Sequence, residues 1–295
     1  MPQVPVQLPT TNEPLRLLAV HAHPDDESSK GAASTAKYVS QGVEVLVVSC
    51  TGGERGDILN ANFELGDRDI ADVRREEMAN AAQILGVSHI WLGFEDSGYP
   101  DGDPKPPLPE GSFASLPLEI VSAPLIEIVR SFRPHVITTY DENGGYPHPD
   151  HIRTHEVAVA AWHQAADDQV QSAGEPWAAA KLYYHHSFSH QRVTALHEAC
   201  VESGIESPYA EWLSGWDPST IGVDRVTAKV DCVEWFSARD QALLAHVTQI
   251  DPDGNWFAIP SSLEIAVWPT EDYELAISRI GDIESEDDLF IGLRG

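Results

Sequence analysis

Two runs near the start of the chain, LRLLAVHA (15–22) and VEVLVVSC (43–50), are apolar at almost every position. A strand with one wet face alternates polar and apolar residues. Unbroken runs suit strands covered on both faces, as in a parallel sheet flanked by helices. HIWLG (89–93), HVITTY (135–140) and KLYYHHSF (181–188) read as three more strands. Between the strands, apolar residues recur at helical spacing. They do so at 32, 36 and 39, at Leu118, Val121, Leu125, Ile128 and Phe132, at Ile152, Val159, Trp162 and Ala166, and at Val233, Phe236, Leu243 and Val247. The second of these helices should stop at Pro134. This alternation predicts an α/β fold: a doubly wound, mostly parallel, Rossmann-like sheet with helices on both faces. The expected organisation is a disordered segment over 1–14, then one domain over 15–295 with a C-terminal extension.

Charge narrows the partners. With 18 Lys+Arg against 47 Asp+Glu, the net charge is −29. Nucleic-acid binding draws on clustered cations, so neither nucleic acid nor an anionic membrane is expected as a partner. No run of about 18 apolar residues spans a membrane, and the first residues lack a basic region followed by an apolar run. The three cysteines, Cys50, Cys200 and Cys232, are widely spaced and form no C-x-x-C. Together these features predict a soluble, cytoplasmic protein without a disulfide framework.

The chemistry concentrates where strands end, the edge on which open α/β sheets build their sites. After the first strand comes His21-Ala22-His23-Pro24-Asp25-Asp26-Glu27, and after the fourth Asn143-Gly144-Gly145-Tyr146-Pro147-His148-Pro149-Asp150-His151. Imidazole with carboxylate is a good ligand set for zinc or iron(II). Of the adjacent Asp25 and Asp26, one can bind metal while the other stays free as a base. The plainer alternative is an acidic helix start with a buried core histidine at 21. His21 is the main rival ligand. His155 is expected to pack, and His185, His186, His190 and His197 to be structural. TGGERGD (51–57) lacks the end of a phosphate-binding loop and reads as a glycine-rich wall, with Glu54 and Arg55 as polar contacts. No G-x-S-x-G elbow occurs, which argues against a serine hydrolase. The Pro- and Gly-rich stretch 96–117 is either a functional lid, an inert surface loop or a domain boundary. DPDGN (251–255) reads as a turn.

With HAHPDDE, TGGERG and TYDENGGYPHPDH in view, the chain resembles the LmbE-like, or N-acetylglucosaminyl-phosphatidylinositol deacetylase-like, superfamily. Matching blocks run from about residue 16 to 290. DESSKG and the late-chain blocks, HVTQIDP, WPTED and EDDLF, resemble the members that hydrolyse mycothiol S-conjugates more than those that deacetylate N-acetylglucosaminyl-inositol. The resemblance implies a metal-dependent amidohydrolase domain over 15–295. It implies zinc, with iron(II) as the alternative, bound by His23, Asp26 and His151, and Asp25 as general base. It implies Tyr146 and His148 beside the oxyanion and the leaving amine, with Asp150 orienting His148. Arg74 and Asp96 match positions that contact the glucosaminyl-inositol part, and His246 one that lines the pocket. Lys30 matches the lysine that distinguishes the amidase motif, and is expected to meet a carbonyl of the cysteinyl part. The implied partner is a small-molecule thiol–sugar conjugate, cut to a mercapturic acid and glucosaminyl-inositol. The alternatives are the biosynthetic deacetylase and a non-catalytic sugar-binding protein with a structural metal. The tail past Glu286 is read as too short to matter.

Overall fold

The computed structural model describes residues 4–10, 13–216, 225–281 and 285–294. Its strands are β1 (Arg16–His21), β2 (Glu44–Thr51), β3 (Ser88–Phe94), β4 (Val136–Thr139), β5 (Lys181–His185), β6 (Ala228–Asp231) and β7 (Thr270–Ser278). Its helices are α1 (Asp26–Ser29), α2 (Ala32–Ser40), α3 (Ile70–Leu85), α4 (Leu118–Phe132), α5 (Pro149–Gln164), α6 (His190–Glu202), α7 (Ala210–Ser214), α8 (Phe236–Ala245) and α9 (Ser261–Val267).

The strands form one sheet in the order β3-β2-β1-β4-β5-β7-β6. The first five are parallel, as their apolar runs require. β7 runs antiparallel to both β5 and β6, and β6 forms the far edge of the sheet. Successive side chains of a strand face opposite sides. Leu18 and Val20 of β1, with Leu46 and Val48 of β2, pack on Val121, Leu125 and Val129 of α4 and Val157 and Trp162 of α5. Ala19 and Val47, one position over, pack on Met78 and Ala82 of α3. The chain steps outward from β1 through β2 to β3, then returns to β4 on the other side of β1. That reversal is a topological switch point, where the crevice beyond the strand ends opens.

α4 ends where Arg133 turns to φ 57°, one residue before Pro134, which disfavours helical backbone in its predecessor. The 96–117 stretch joins β3 to α4, which packs on the same sheet. The Phe113 N–H donates to Glu95 O at 2.8 Å, its ring is fully buried, and the start of the stretch lines the main cavity. Gly254 N–H closes the 251–255 turn on Asp251 O. In the segment 1–14, expected to be disordered, residues 1–3, 11 and 12 lie outside the described residues. Within the remainder, Val4 N–H donates to Ala166 O at 2.9 Å and Val6 packs on the core, so that stretch is anchored.

The tail corrects a second expectation. Glu286 meets the fully buried Lys181 and the Tyr183 hydroxyl, and Leu289 and Phe290 are buried against Tyr38. All three cysteines are buried and unpaired, and burial pushes the Cys50 thiol up to about 12. Among the described residues, no helix is long and apolar enough to cross a membrane.

Candidate metal centre and active site

Two segments meet at the switch point. The first leaves β1 and enters α1, bringing His23, Asp25 and Asp26. The second leaves β4 and enters α5, bringing Tyr146, His148, Asp150 and His151. Pro149 sits at the first position of α5, where its missing N–H costs nothing. His148 caps that helix: its Nδ1 accepts from Asp150 N–H at 3.1 Å. Gly144 makes the turn at φ 74°. A Cβ there would lie 2.6 Å from His151 Cβ, so only glycine lets the loop close over His151.

His151 is fully buried. Its Nδ1 lies 2.9 Å from Gly144 O, an arrangement that puts the proton on Nδ1 and leaves the Nε2 lone pair free. Nε2 is buried with no hydrogen-bond partner and stands 3.4 Å from Asp26 Oδ2. His23 Nδ1 stands 3.5 Å from the same oxygen. Ligand atoms about 2.1 Å from a tetrahedrally bound ion stand about 3.4 Å from one another. His23, Asp26 and His151 therefore fit a metal ion by spacing, by donor type and by the orphaned nitrogen. His23 Nε2 faces Asp150 Oδ2 at 3.3 Å and Asp96 Oδ1 at 3.6 Å, carboxylates that would leave Nδ1 as the nitrogen for a bound ion. A second trio, His23, His148 and Asp150, is also close. There His23 Nε2 and Asp150 are already engaged with each other.

Burial disfavours the charged form of His23, but hydrogen bonds to Asp150, Asp26 and Asp96 outweigh it and raise its pKa well above the usual value. For Asp26, burial is outweighed by His151 and Lys30, and its carboxyl is held well below the usual range. Asp25 is different. Burial raises its pKa and Arg74 opposes the rise. Its backbone sits at φ 108°, and it shares positive φ only with Arg133 among the described non-glycine residues. Such a conformation costs on the order of 1–3 kcal/mol and must be held from outside. Here Asp25 N–H donates to Glu27 Oε2 at 2.9 Å, and Arg74 donates to Asp25 Oδ2 at 2.8 Å and to Pro24 O at 2.6 Å. Gly53 makes room for that guanidinium: a Cβ on it would lie 2.5 Å from Arg74 Nη1.

Several sequence-based roles change. The Asp150 carboxylate does not orient His148; it accepts from Ser97 N–H at 2.9 Å and faces His23, and only its backbone N–H reaches His148. His148 was expected to be protonated, but its Nδ1 accepts a hydrogen bond, an arrangement that suits the neutral ring. Burial, with His23 and His151 nearby, pushes its pKa down to about 3. Since Nδ1 accepts, the remaining proton is on Nε2. His246 does not line the cavity; it is fully buried 2.7 Å from Glu27 Oε1, behind Asp25. Lys30 is on the cavity wall, where its ammonium donates to Asp26 Oδ1 at 2.7 Å and to Ser29 Oγ at 3.0 Å. Arg74 reaches the wall while spending its hydrogen bonds on Gly53, Pro24 and Asp25. Asp96 also lines the wall and accepts from Arg55 N–H and Gly98 N–H.

The cavity holds about 400 Å³. Tyr146, 48% exposed, overhangs it with its ring 4.6 Å from that of His151. His21 stacks on His185, and burial lowers its pKa to about 4, which makes it a neutral core residue. His155 packs, with Nδ1 3.0 Å from Tyr140 O. Sequence reasoning missed Tyr140, whose ring stacks 4.4 Å from that of His151; its place as the last residue of a predicted strand was the available signal. It also missed Ser29, Leu243 and Trp256 on the wall.

Residues 18–162 match the family described as GlcNAc-PI de-N-acetylase (PIG-L). The chain is 54% identical to a mycothiol S-conjugate amidase of Streptomyces coelicolor, over 95% of this chain and 98% of that one. It is 37% identical to a 1D-myo-inositol 2-acetamido-2-deoxy-alpha-D-glucopyranoside deacetylase of Streptomyces scabiei, over 100% and 96% of the two chains. The structure of N,N'-diacetylchitobiose deacetylase from Pyrococcus horikoshii shares the fold, with a TM-score of 0.60 at 20% identity over 88% of this chain and 83% of that one. With full-length relatives at these identities and its own motif blocks inside the matched span, the chain belongs to the PIG-L, or LmbE-like, family of de-N-acetylases and amidases.

Proposed function

We propose that this protein is a cytoplasmic zinc amidase that cleaves mycothiol S-conjugates to a mercapturic acid and glucosaminyl-inositol. The observation that carries an amide hydrolase is the His23–Asp26–His151 trio at metal-ligand spacing beside Asp25, a strained and partly exposed carboxylate. The 54% identity to an amidase, against 37% to a deacetylase, favours the conjugate as substrate.

A zinc ion held by His23, Asp26 and His151 would supply Lewis acidity toward the scissile carbonyl and toward water, with one position left open. The chain's own groups do the rest. Asp25, a partly exposed carboxylate next to Asp26 in the chain, takes a proton from the attacking water. The Tyr146 hydroxyl and His148 Nε2–H donate to the developing oxyanion. As the C–N bond breaks, Asp25 returns the proton to the glucosaminyl nitrogen. The hydroxyl of water ends on the acyl carbon and its proton on the amine, so the balance closes through one carboxyl.

The test compares metal content and turnover. The purified protein should carry about one zinc per chain, and His23→Ala, Asp26→Ala or His151→Ala should each lower it sharply. Full metal content in all three variants rules out this ligand set. Hydrolysis of a fluorescent mycothiol conjugate distinguishes an enzyme from a sugar-binding protein. A preference for N-acetylglucosaminyl-inositol over the conjugate assigns the deacetylase activity instead.

A further inference from the structure

The main cavity is walled by the segments that leave β1, β2, β3 and β4. A second, smaller cavity shares three of its wall residues: Ser29, Leu243 and Trp256. The second cavity's other walls follow β5, with Phe188 and Leu196, and include Tyr209 and Ile259. Strand order puts β3 at one edge of the sheet and β5 beyond β4. The two wall sets therefore flank the candidate ligands, which leave β1 and β4, from opposite sides.

The two ends differ in chemistry. The β3 end presents Asp96, Asp101, Tyr99 and Arg55, groups that hydrogen-bond a polyol. The β5 end presents Phe188, Leu196, Tyr209, Ile259 and the shared Trp256, with the Phe188 and Trp256 rings 5.8 Å apart. Its charged groups are matched within the protein. Glu264 accepts from Arg192 at 2.7 Å and Arg239 at 2.8 Å, Arg239 also pairs with Asp240, and Glu271 accepts from the first N–H groups of α2. Ser29, Ser187 and Asn255 add neutral polar groups, and Arg192 Nε is buried without a hydrogen-bond partner. With both guanidiniums already paired to carboxylates, a charged ligand group would lose its water there for little gain. The shared wall includes Ser29, one turn of α1 beyond Asp26 and within 3.0 Å of Lys30 Nζ.

We propose that this second compartment is the subsite for the substituent on sulfur, and that it selects uncharged, apolar substituents. The inference rests on the amidase reading: the amide that is cut lies between a polyol and a thioether arm, and the groove offers one end to each. Glucosaminyl-inositol extends toward Asp96 and Tyr99, and the S-substituent toward Phe188 and Ile259.

The experiment measures kcat/KM for an S-benzyl, an S-methyl and an S-carboxymethyl conjugate of mycothiol with wild type, Ile259→Trp and Phe188→Ala. Wild type should prefer S-benzyl over S-methyl by at least ~10-fold, the discrimination a hydrophobic pocket gains from a few carbon atoms, and should disfavour S-carboxymethyl. Ile259→Trp fills the compartment and Phe188→Ala strips its wall. Each should lower the benzyl-to-methyl ratio about 10-fold. The ratio is internal to each variant, so partial misfolding does not move it. Hydrolysis with the ratio unmoved in both variants overturns the subsite alone. No hydrolysis of any conjugate by wild type overturns the amidase reading and the subsite with it.

Discussion

Asp25 combines a backbone that few residues adopt with a carboxylate that the proposed chemistry needs free. Asparagine tolerates positive φ nearly as well as aspartate does, so Asp25→Asn tests the proton acceptor without disturbing the turn. It should keep its metal and lose activity by about 10²–10⁴-fold, the usual contribution of a general base. Near wild-type kcat would move the base elsewhere. His148→Ala tests the proton assignment. Its Nδ1 accepts from Asp150 N–H, and burial pushes its pKa down to about 3, so the neutral ring is the expected form near neutrality. The variant should lower kcat by roughly 10²-fold, as loss of an oxyanion donor does, and leave both limbs of the pH profile in place. Loss of the alkaline limb would restore the imidazolium as the acid. At this scale the sequence was legible where chemistry is compressed into a strand exit. HAHPDD and HPDH put His23, Asp26 and His151 in reach of one another. It was illegible where a role depends on a distant partner. Glu27 and His246 meet across 219 residues, and nothing near His246 announces that its ring is spent. The Asp150 role changed for the same reason: it is adjacent in sequence to His151, yet distant contacts set its hydrogen bonds.

α6, α8 and α9 are joined by one carboxylate, Glu264, which binds Arg192 and Arg239. Burial opposes its charge, but the two guanidiniums hold its pKa below the ordinary value. The unfolded chain then binds the proton more readily, so this stabilisation is present above the unfolded pKa of about 4.3 and lost as pH falls through the folded one. Glu264→Gln should cost roughly 3 kcal/mol near neutrality by leaving mostly buried cations without a carboxylate. Its thermal midpoint should converge on wild type as pH falls below about 4. A constant gap from pH 7 to 3 would refute the ion-pair account. The same helices mark the limit of pattern reading. β1 to β5 and α2, α4, α5 and α8 carry apolar runs or wide stripes and were anticipated. α3 was not, because part of its inner face is alanine (Ala81 and Ala82), which gives little periodic contrast. β6 is only four residues, and β7, TEDYELAIS, carries three carboxylates within an antiparallel pairing that apolar runs do not signal.

The last described residues complete the molecule's second core. Lys181 is fully buried, and Glu286 is its carboxylate partner. Ending the chain at Gly281 would strand that ammonium and uncover Tyr38, so a loss of at least about 3–5 kcal/mol is expected. Such a chain should unfold at markedly lower urea than the whole one; an unchanged midpoint would show that the Lys181–Glu286 contact is dispensable. The closed core also decides how the three thiols behave. Under the proposed function, the substrates arise from alkylated thiols, so the protein would work among alkylating agents. A thiol attacks only as thiolate, and burial raises the pKa of Cys50, Cys200 and Cys232. The folded protein should thus stay unlabelled by iodoacetamide, whereas the urea-unfolded chain takes up three equivalents. By keeping its sulfur inside and protonated, the fold withholds all three thiols from electrophiles in solution.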